Sequence, residues 1–376
     1  MSSALDRALT TAGLAAGVLA LAGCGGHSNP STSGAATKSQ PRPNIAAARA
    51  TLARYTGKPT AFPVDAPLKT KPTGKTFAYL QCSTPVCALF AQALQPTQKL
   101  LGYKLTIVKA GPSATEVQTA MDSIVSLKPA GVLLPASDPG QYLRQIQRLE
   151  QARIPISANG IVDPTKYGIR ADFINNDTDL LAGKLMADAA VSQAGAGEVA
   201  FYGTSELNFS PLMQMAFDRE MARVCPSCTV RNVDVPIADI GTTAPSLVVS
   251  DLQSHPNTKV LAFATAEAGT GLPAALRAAS LKVRIVGYGP TPAVLGYIKQ
   301  GHWEAAIGVD GSTMIWAQLD ALARMVAGEP LTGDEKAGLP PVQILTRPDI
   351  TFDPAKGWIA YPNFAARFAK LWGTGQ

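Results

Sequence analysis

The chain has 376 residues, of which 46% are hydrophobic and 16% are charged. This length and composition allow one large buried core or two medium ones. The formal net charge is +6, from 33 basic and 27 acidic residues, but no cluster of lysine and arginine marks a nucleic-acid-binding face. We therefore expect no nucleic-acid partner, and at most a mild attraction to anionic envelope surfaces.

An export signal is predicted at the N-terminus. A short charged start precedes an apolar stretch over residues 8–22, which is too short and too rich in glycine to span a bilayer comfortably. The stretch ends in Leu21-Ala22-Gly23-Cys24, which resembles the site where bacterial lipoprotein signals are cut and the cysteine thiol is lipidated. We expect a signal peptide over 1–23, lipid attachment at Cys24 and a location on the extracytoplasmic face of the cell membrane, anchored in the lipid bilayer. An ordinary secretory signal with an unrelated cysteine is the alternative.

Residues 24–73 are predicted to form a flexible linker, because serine, threonine, proline, glycine, alanine and lysine dominate them. Within this linker, Ile45, Leu52 and Tyr55 have helical spacing. The spacing predicts a short arm that packs on the folded domain.

Strand-like and helix-like segments alternate from Gly74 onward. Ser113 and Glu116 have the spacing of a capping box, which marks the start of a helix. Because the strands are apolar almost throughout, we expect a parallel sheet covered by helices on both faces. The predicted strands are 76–80, 103–108, 131–134 and 154–157, and the predicted helices are 88–101, 113–127 and 141–152.

The alternation starts afresh after residues 175–177, which predicts a second lobe of the same construction. A long helix over 314–327 and a strand over 340–345 come last, and the alternation alone does not say which lobe that strand joins. The other predicted helices are 180–193, 212–224, 244–254, 272–279 and 292–300, and the predicted strands are 198–202, 229–235, 260–264, 284–288 and 304–309.

Four cysteines remain after Cys24, and they form two close pairs. In an oxidising compartment the simplest account is two local disulfides, Cys82–Cys87 and Cys225–Cys228. A thioredoxin-like redox motif is the rival for the second pair, but the residues around it favour a turn into a strand. Zinc binding is disfavoured, because none of the three histidines has ligand spacing from these cysteines.

Catalytic motifs are not indicated. His27, His255 and His302 have no serine or cysteine partner at an interpretable spacing. The sequence Gly269-Thr270-Gly271 lacks the third glycine of a dinucleotide fingerprint. We expect a protein that is not an enzyme and has no metal site and no cofactor.

A family resemblance rests on several short segments that follow one another in order. They are Phe77-Ala78-Tyr79-Leu80, Leu133-Leu134-Pro135-Ala136-Ser137-Asp138, Arg153-Ile154-Pro155-Ile156, Gly203-Thr204-Ser205, Ala262-Phe263-Ala264 and Ile285-Val286-Gly287-Tyr288. In this order and spacing they resemble the type I periplasmic binding proteins, specifically the ribose-binding-like solute receptors of ABC importers. The resemblance implies an α/β fold of two doubly wound parallel-sheet lobes, joined by a three-crossover hinge near 174–177, 310–312 and 342–346.

The resemblance also sets the expected boundaries of the lobes. The N-terminal lobe would comprise 74–174 and 311–343, and the C-terminal lobe would comprise 175–310 and 344–376. A solute would bind in the cleft between them, at the carboxyl ends of the strands, and hinge closure would bury it. The protein is expected to be a monomer that works with a membrane permease and its ATPase.

The ligand positions implied by the resemblance depart from the sugar-binding pattern. Asn159 stands where the family usually has an Asp-Arg pair, and Met213 replaces an arginine. Tyr288 keeps an aromatic ring, but the carboxylate that follows it in the family is absent. The ligand-binding residues expected from the resemblance are Thr84, Val86, Asn159, Phe209, Met213, Ile240, Glu267, Tyr288 and Asp310.

Most of the charged groups that would hold sugar hydroxyls are missing from this set, so a less hydroxylated solute also fits. Two solute classes stay open: a carbohydrate or polyol, and a less polar aromatic, terpenoid or other catabolic substrate. We expect a lipid-anchored receptor that captures the solute and delivers it to an ABC permease. A ligand-sensing receptor coupled to a membrane signalling protein is the alternative. A LacI-type regulator shares the fold, but it would need a DNA-binding region where this chain has its export signal.

Overall fold

The computed structural model of the protein describes residues 42–194, 197–337 and 342–374. The predicted signal peptide over 1–23 and the lipid attachment at Cys24 lie outside the described residues. Within the described ranges, no helix combines the length and the apolarity needed to cross a bilayer.

The N-terminal arm is part of the folded structure. Its helix α1 (Ile45–Leu52) continues into a 3-10 turn at Ala53–Tyr55, which confirms the predicted helical arm. Ala48 of α1 is fully buried in the core of the C-terminal lobe. The prediction of a flexible linker is wrong for residues 42–73, because apolar side chains beyond α1 anchor this stretch to the N-terminal lobe. These side chains are Phe62, Val64 and Leu68.

The first lobe is built on a five-stranded parallel sheet. Its strands are β1 (Thr76–Gln81), β2 (Lys104–Lys109), β3 (Gly131–Leu134), β4 (Ile156–Ala158) and β5 (Ala171–Asp172). They lie in the order β2-β1-β3-β4-β5, and every pair is parallel. The connecting helices are α2 (Pro85–Leu101), α3 (Ala114–Leu127) and α4 (Leu143–Gln151).

The predicted capping box at α3 is confirmed. The Glu116 carboxylate accepts a hydrogen bond from the Ser113 N–H at 3.0 Å, and the Ser113 hydroxyl accepts one from the Glu116 N–H at 3.3 Å. Because two otherwise unpaired amide groups are satisfied at once, the helix begins at a defined residue.

The second lobe is built on a six-stranded sheet. Its strands are β6 (Glu198–Gly203), β7 (Thr229–Asp234), β8 (Thr258–Phe263), β9 (Arg284–Tyr288), β10 (Ala305–Val309) and β11 (Val342–Thr346). The order is β11-β10-β9-β8-β6-β7, and β11 alone of these strands runs antiparallel to its neighbour. The helices of this lobe are α5 (Asn176–Ala194), α6 (Phe209–Val224), α7 (Ala244–Ser254), α8 (Leu272–Ala278) and α9 (Pro292–Gln300).

The chain returns to the first lobe through α10 (Gly311–Ala327) and α11 (Gly333–Ala337). Helix α10 packs closely on the first sheet: a Cβ atom at Gly131 would lie 2.8 Å from the Leu322 side chain. The chain then enters the second lobe as β11 and ends with α12 (Phe364–Leu371).

Helix α12 packs on α10 of the first lobe. The Trp372 ring stacks on Trp316 with their centroids 5.3 Å apart, and the Trp372 indole donates a hydrogen bond to the buried Asp320. The expectation that residues 344–376 belong to the C-terminal lobe therefore does not describe α12. Phe368 of α12 and Trp372, which follows the helix, are buried in the core of the N-terminal lobe.

Two further stretches join the lobes besides the three expected crossovers. One is the arm, which runs from α1 on the second lobe to Leu68 on the first, and the other is the segment between β11 and α12. The two stretches contact each other, because the Phe62 ring meets the Tyr361 ring edge-on at a centroid distance of 5.3 Å. The Tyr361 hydroxyl also donates a hydrogen bond to the Ala61 carbonyl.

Candidate functional site

A small chamber lies between the two lobes, at the carboxyl ends of their parallel strands. Its volume is about 110 Å³, and most of its wall is apolar. The loops after β1, β3 and β4 supply the wall on one side, and the loops after β6, β8 and β9 supply it on the other. Open α/β sheets place their ligands at this edge.

Six of the nine expected ligand-binding residues lie in the wall of this chamber. They are Thr84, Val86, Asn159, Phe209, Glu267 and Tyr288. Their contact with a solute stays a prediction. The other three, Met213, Ile240 and Asp310, are not part of the wall.

Core packing accounts for Met213 and Ile240. Both are buried in the hydrophobic core of the second lobe. The Met213 backbone comes so close to α5 that a Cβ atom at Gly183 would lie 2.1 Å from the Met213 carbonyl oxygen. Met213 therefore serves helix packing and does not face the cleft.

Asp310 organises the crossover into α10. One carboxylate oxygen accepts from the Thr313 N–H at 2.9 Å, and the other accepts from the Thr313 hydroxyl at 2.7 Å and the Ala360 N–H at 2.8 Å. Burial raises the pKa of Asp310, although these hydrogen bonds act in the opposite direction. With its oxygens engaged in this way, Asp310 ties the hinge to the C-terminal segment.

Both predicted disulfides are confirmed, and one of them borders the chamber. Cys82 pairs with Cys87, and Cys225 pairs with Cys228. Cys82 and Cys87 line the chamber and enclose the loop that leads into α2. The bond joins the start of the loop after β1 to the first turn of α2, so it limits how that turn can move.

Glu267 reaches from the second lobe to the start of α2 in the first lobe. Its carboxylate accepts a hydrogen bond from the Val86 N–H at 3.1 Å and another from the Thr84 hydroxyl. A helix N-terminus carries unpaired N–H groups and a partial positive charge, so it suits a carboxylate. Burial raises the pKa of Glu267, and the two hydrogen bonds partly oppose that rise.

A second hydrogen bond crosses the cleft elsewhere along the chamber. The Asn208 side-chain oxygen, at the start of α6, accepts from the Val162 N–H of the first lobe at 2.6 Å. Beside it, the Phe209 ring lies so near Gly160 that a Cβ atom there would be 3.6 Å from the ring. The two lobes are therefore in direct contact, and the cleft is closed.

Gln318 is a supporting residue that sequence reasoning did not identify. Its side-chain oxygen accepts from the Asn159 amide at 2.9 Å, and its amide donates to the Ser157 carbonyl at 2.9 Å. The available signal was a lone glutamine within the apolar face of the long helix over 314–327. Other wall residues were also missed as ligand-binding positions, among them Phe90, Leu207, Thr265 and Thr291.

The sequence matches a family model described as a periplasmic binding protein domain over residues 79–330. The chain belongs to the periplasmic binding protein family. No curated protein matches its sequence.

Solved structures show the same fold at low sequence identity. One is an ABC transporter periplasmic solute binding protein from Actinobacillus succinogenes with bound D-allose, at 16% identity and a TM-score of 0.62, over 73% of this chain and 99% of that one. Another is a glucose-galactose binding protein from Geobacillus stearothermophilus, at 15% identity and a TM-score of 0.63, over 74% and 99%. A third is a carbohydrate transporter from Acidothermus cellulolyticus in complex with myo-inositol, at 15% identity and a TM-score of 0.63, over 75% and 97%.

Three buried polar side chains of this periplasmic binding protein, two at the crossover near 174–177 and one in the chamber wall, have unpaired oxygens. Both carboxylate oxygens of Asp179, one of Asp172 and the Tyr288 hydroxyl have no hydrogen-bond partner among the described residues. Burial raises the pKa of Asp179 well above its usual range, and the neighbouring Asp172 raises it further. Asp172 lies in β5 and Asp179 near the start of α5, so the two buried carboxyl groups flank the crossover near 174–177.

The pH dependence of stability tests the burial of Asp179. Since the pKa of Asp179 is raised in the folded state, the stability linked to its protonation is present below the unfolded pKa of about 4 and is lost as the pH rises. We expect Asp179→Asn to increase the free energy of unfolding at pH 8 by at least about 1 kcal/mol, because the neutral amide avoids the buried charge that desolvation penalises. The gain should shrink towards pH 4 in urea titrations. The matched control is Asp177→Asn, an exposed position in the same helical turn; equal effects of Asp179→Asn at both pH values would contradict the account.

Proposed function

We propose that this protein is a lipid-anchored extracytoplasmic receptor that captures a small solute between its lobes and delivers it to an ABC permease and its ATPase. The observation that carries the proposal is the closed chamber, with hydrogen bonds that cross the cleft from Glu267 and from Asn208. Such contacts form only when the lobes meet. They therefore distinguish a closed shape, which a permease can recognise, from an open one.

The chamber wall favours a neutral solute with few hydroxyl groups, such as a partly apolar sugar derivative. Sugar sites hold hydroxyls with charged, bidentate groups and place aromatic rings against the apolar faces. Here the Glu267 carboxylate is engaged by Val86 and Thr84, and the Asn159 amide is engaged by Gln318. Tyr288 and Phe209 supply rings. The solutes bound by the similar solved structures support the carbohydrate and polyol class.

The proposed lipid anchor at Cys24 is joined to the folded lobes through the packed arm. About twenty residues separate Cys24 from Asn44, whose N–H donates to the Val224 carbonyl of the second lobe at 2.6 Å. A chain of that length reaches at most about 70 Å when fully extended. The receptor would thus stay within reach of a membrane permease, at a raised local concentration.

Solute capture can be tested by a thermal-shift screen over sugars, polyols and aromatic acids. The screen uses the soluble part, which is the chain without the predicted signal peptide and without Cys24. A solute at 100 times its Kd adds about 2.7 kcal/mol to the free energy of unfolding, which raises the melting temperature by several degrees. We expect partly apolar sugar derivatives to give the largest shifts. Val86→Trp, which fills the chamber, should abolish the shift, whereas Gln95→Trp, at an exposed position of the same helix, should keep it. A melt that no member of the panel shifts would contradict solute capture, and shifts by pentoses and hexoses alone would contradict the less polar solute.

Replacing Cys24 by serine tests the anchor, because a serine hydroxyl lacks the thiolate nucleophile that takes the lipid. We expect Cys24→Ser to move the protein from the membrane fraction to the soluble fraction of the cells. Ser28→Ala, at a position a few residues further on, is the control and should leave the protein in the membrane fraction. Persistence of the Cys24→Ser protein in washed membranes would contradict lipid attachment at this residue.

A further inference from the structure

A second cavity adjoins the chamber and is larger than it. This outer cavity has a volume of about 410 Å³ and lies between α2, the loop after β9, the start of α10 and the segment 355–358. The two cavities share part of their walls, so they border each other. The shared residues are Val86, Phe90, Gly289 and Thr291.

The chamber is small for a complete solute. Pockets for small molecules usually measure about 300–1,000 Å³. The chamber, at about 110 Å³, is well below that range and the outer cavity, at about 410 Å³, reaches it, so a larger solute held in the chamber would have to extend into the outer cavity.

The chemistry of the outer cavity differs from that of the chamber. Its wall has more apolar than polar surface, and among the described residues that line it Lys356 carries the charge. Trp358 is buried in this wall. An uncharged ring matches the apolar part of such a wall, because burial of apolar surface is favourable.

Phe90 stands at the passage between the cavities. It belongs to both walls, and its ring lies against the first residue of α10, where a Cβ atom at Gly311 would be 2.9 Å from the ring. The absence of a side chain at Gly311 gives the Phe90 ring room at this point. A link between two parts of one solute would pass along this ring.

The outer wall includes a part of the chain that the family match does not cover. Residues 355–358 follow the matched span of 79–330, and Asp310 holds the next segment in place through the Ala360 N–H. The C-terminal segment thus adds a wall to the cleft as well as a connection between the lobes.

We infer that the solute is a neutral two-part molecule of the glycoside class, with a small hydroxylated head in the chamber and an uncharged ring in the outer cavity. This inference rests on the proposed solute-binding function and specifies the solute of the same site. The apolar part contributes affinity through the outer cavity, and the head is fixed by the polar groups of the chamber.

The test compares methyl and phenyl β-glycosides of the same monosaccharides by isothermal titration calorimetry on the soluble part. We expect the phenyl glycoside of any sugar that binds to have a Kd at least tenfold lower than its methyl glycoside. Gln92→Trp fills the outer cavity from an exposed position of α2, so it should bring this ratio close to one. Gln95→Trp on the same helix lies outside both cavities and should preserve the ratio.

The outcomes separate this inference from the proposed function. Equal affinity of the two glycosides, or binding of methyl glycosides with rejection of phenyl glycosides, would overturn the two-part solute and leave the receptor function standing. No binding by any member of the series would count against both. Leu89→Trp, at a second exposed position of the outer wall, should lower the affinity ratio in the same way. It replaces Gln92→Trp in the test if that variant is destabilised.

Discussion

The carboxylate of Glu267, which meets the start of α2 across the cleft, is the contact on which the closed structure depends. It comes from the 3-10 turn after β8, and it accepts from the Val86 N–H and the Thr84 hydroxyl of the opposite lobe. A hydrogen bond to a charged group contributes about 1.5–3 kcal/mol, and the cost of burying the carboxylate offsets part of this. The contact can therefore favour closure without locking it, which leaves room for a solute to shift the balance.

The local structure around this contact holds the acceptor and the donors in place. Pro85 occupies the first position of α2, where its missing N–H costs no hydrogen bond, and the disulfide Cys82–Cys87 spans the same turn. Opening the cleft must also bend the arm and the C-terminal segment, which join the lobes besides the three crossovers of the hinge. We therefore expect a smaller opening than a hinge of three crossovers alone would allow.

The sequence predicted the alternating elements well, because each strand is a short apolar run and several helices carry explicit starts such as Ser113 with Glu116. β5 was missed, since a strand of two residues has no periodicity to detect. The packing of α12 could not be predicted, because its anchor is the distant Trp316 and no local pattern records that pairing. For the site, the predicted alternation of strands and helices was enough to place the loops that follow the strands at the cleft. Which side chain of a loop faces the chamber depends on tertiary packing, and this is why Met213 and Asp310 were misplaced.

Small-angle X-ray scattering on the ligand-free soluble part tests the central role of Glu267 most directly. The account predicts that Glu267→Ala increases the radius of gyration, because the Val86 N–H and the Thr84 hydroxyl lose their acceptor and the lobes separate more often. Glu304→Ala is the matched control, since Glu304 precedes β10 at the end of the sheet remote from the cleft and should leave the radius unchanged. Superimposable scattering curves of Glu267→Ala and the wild type would contradict the account.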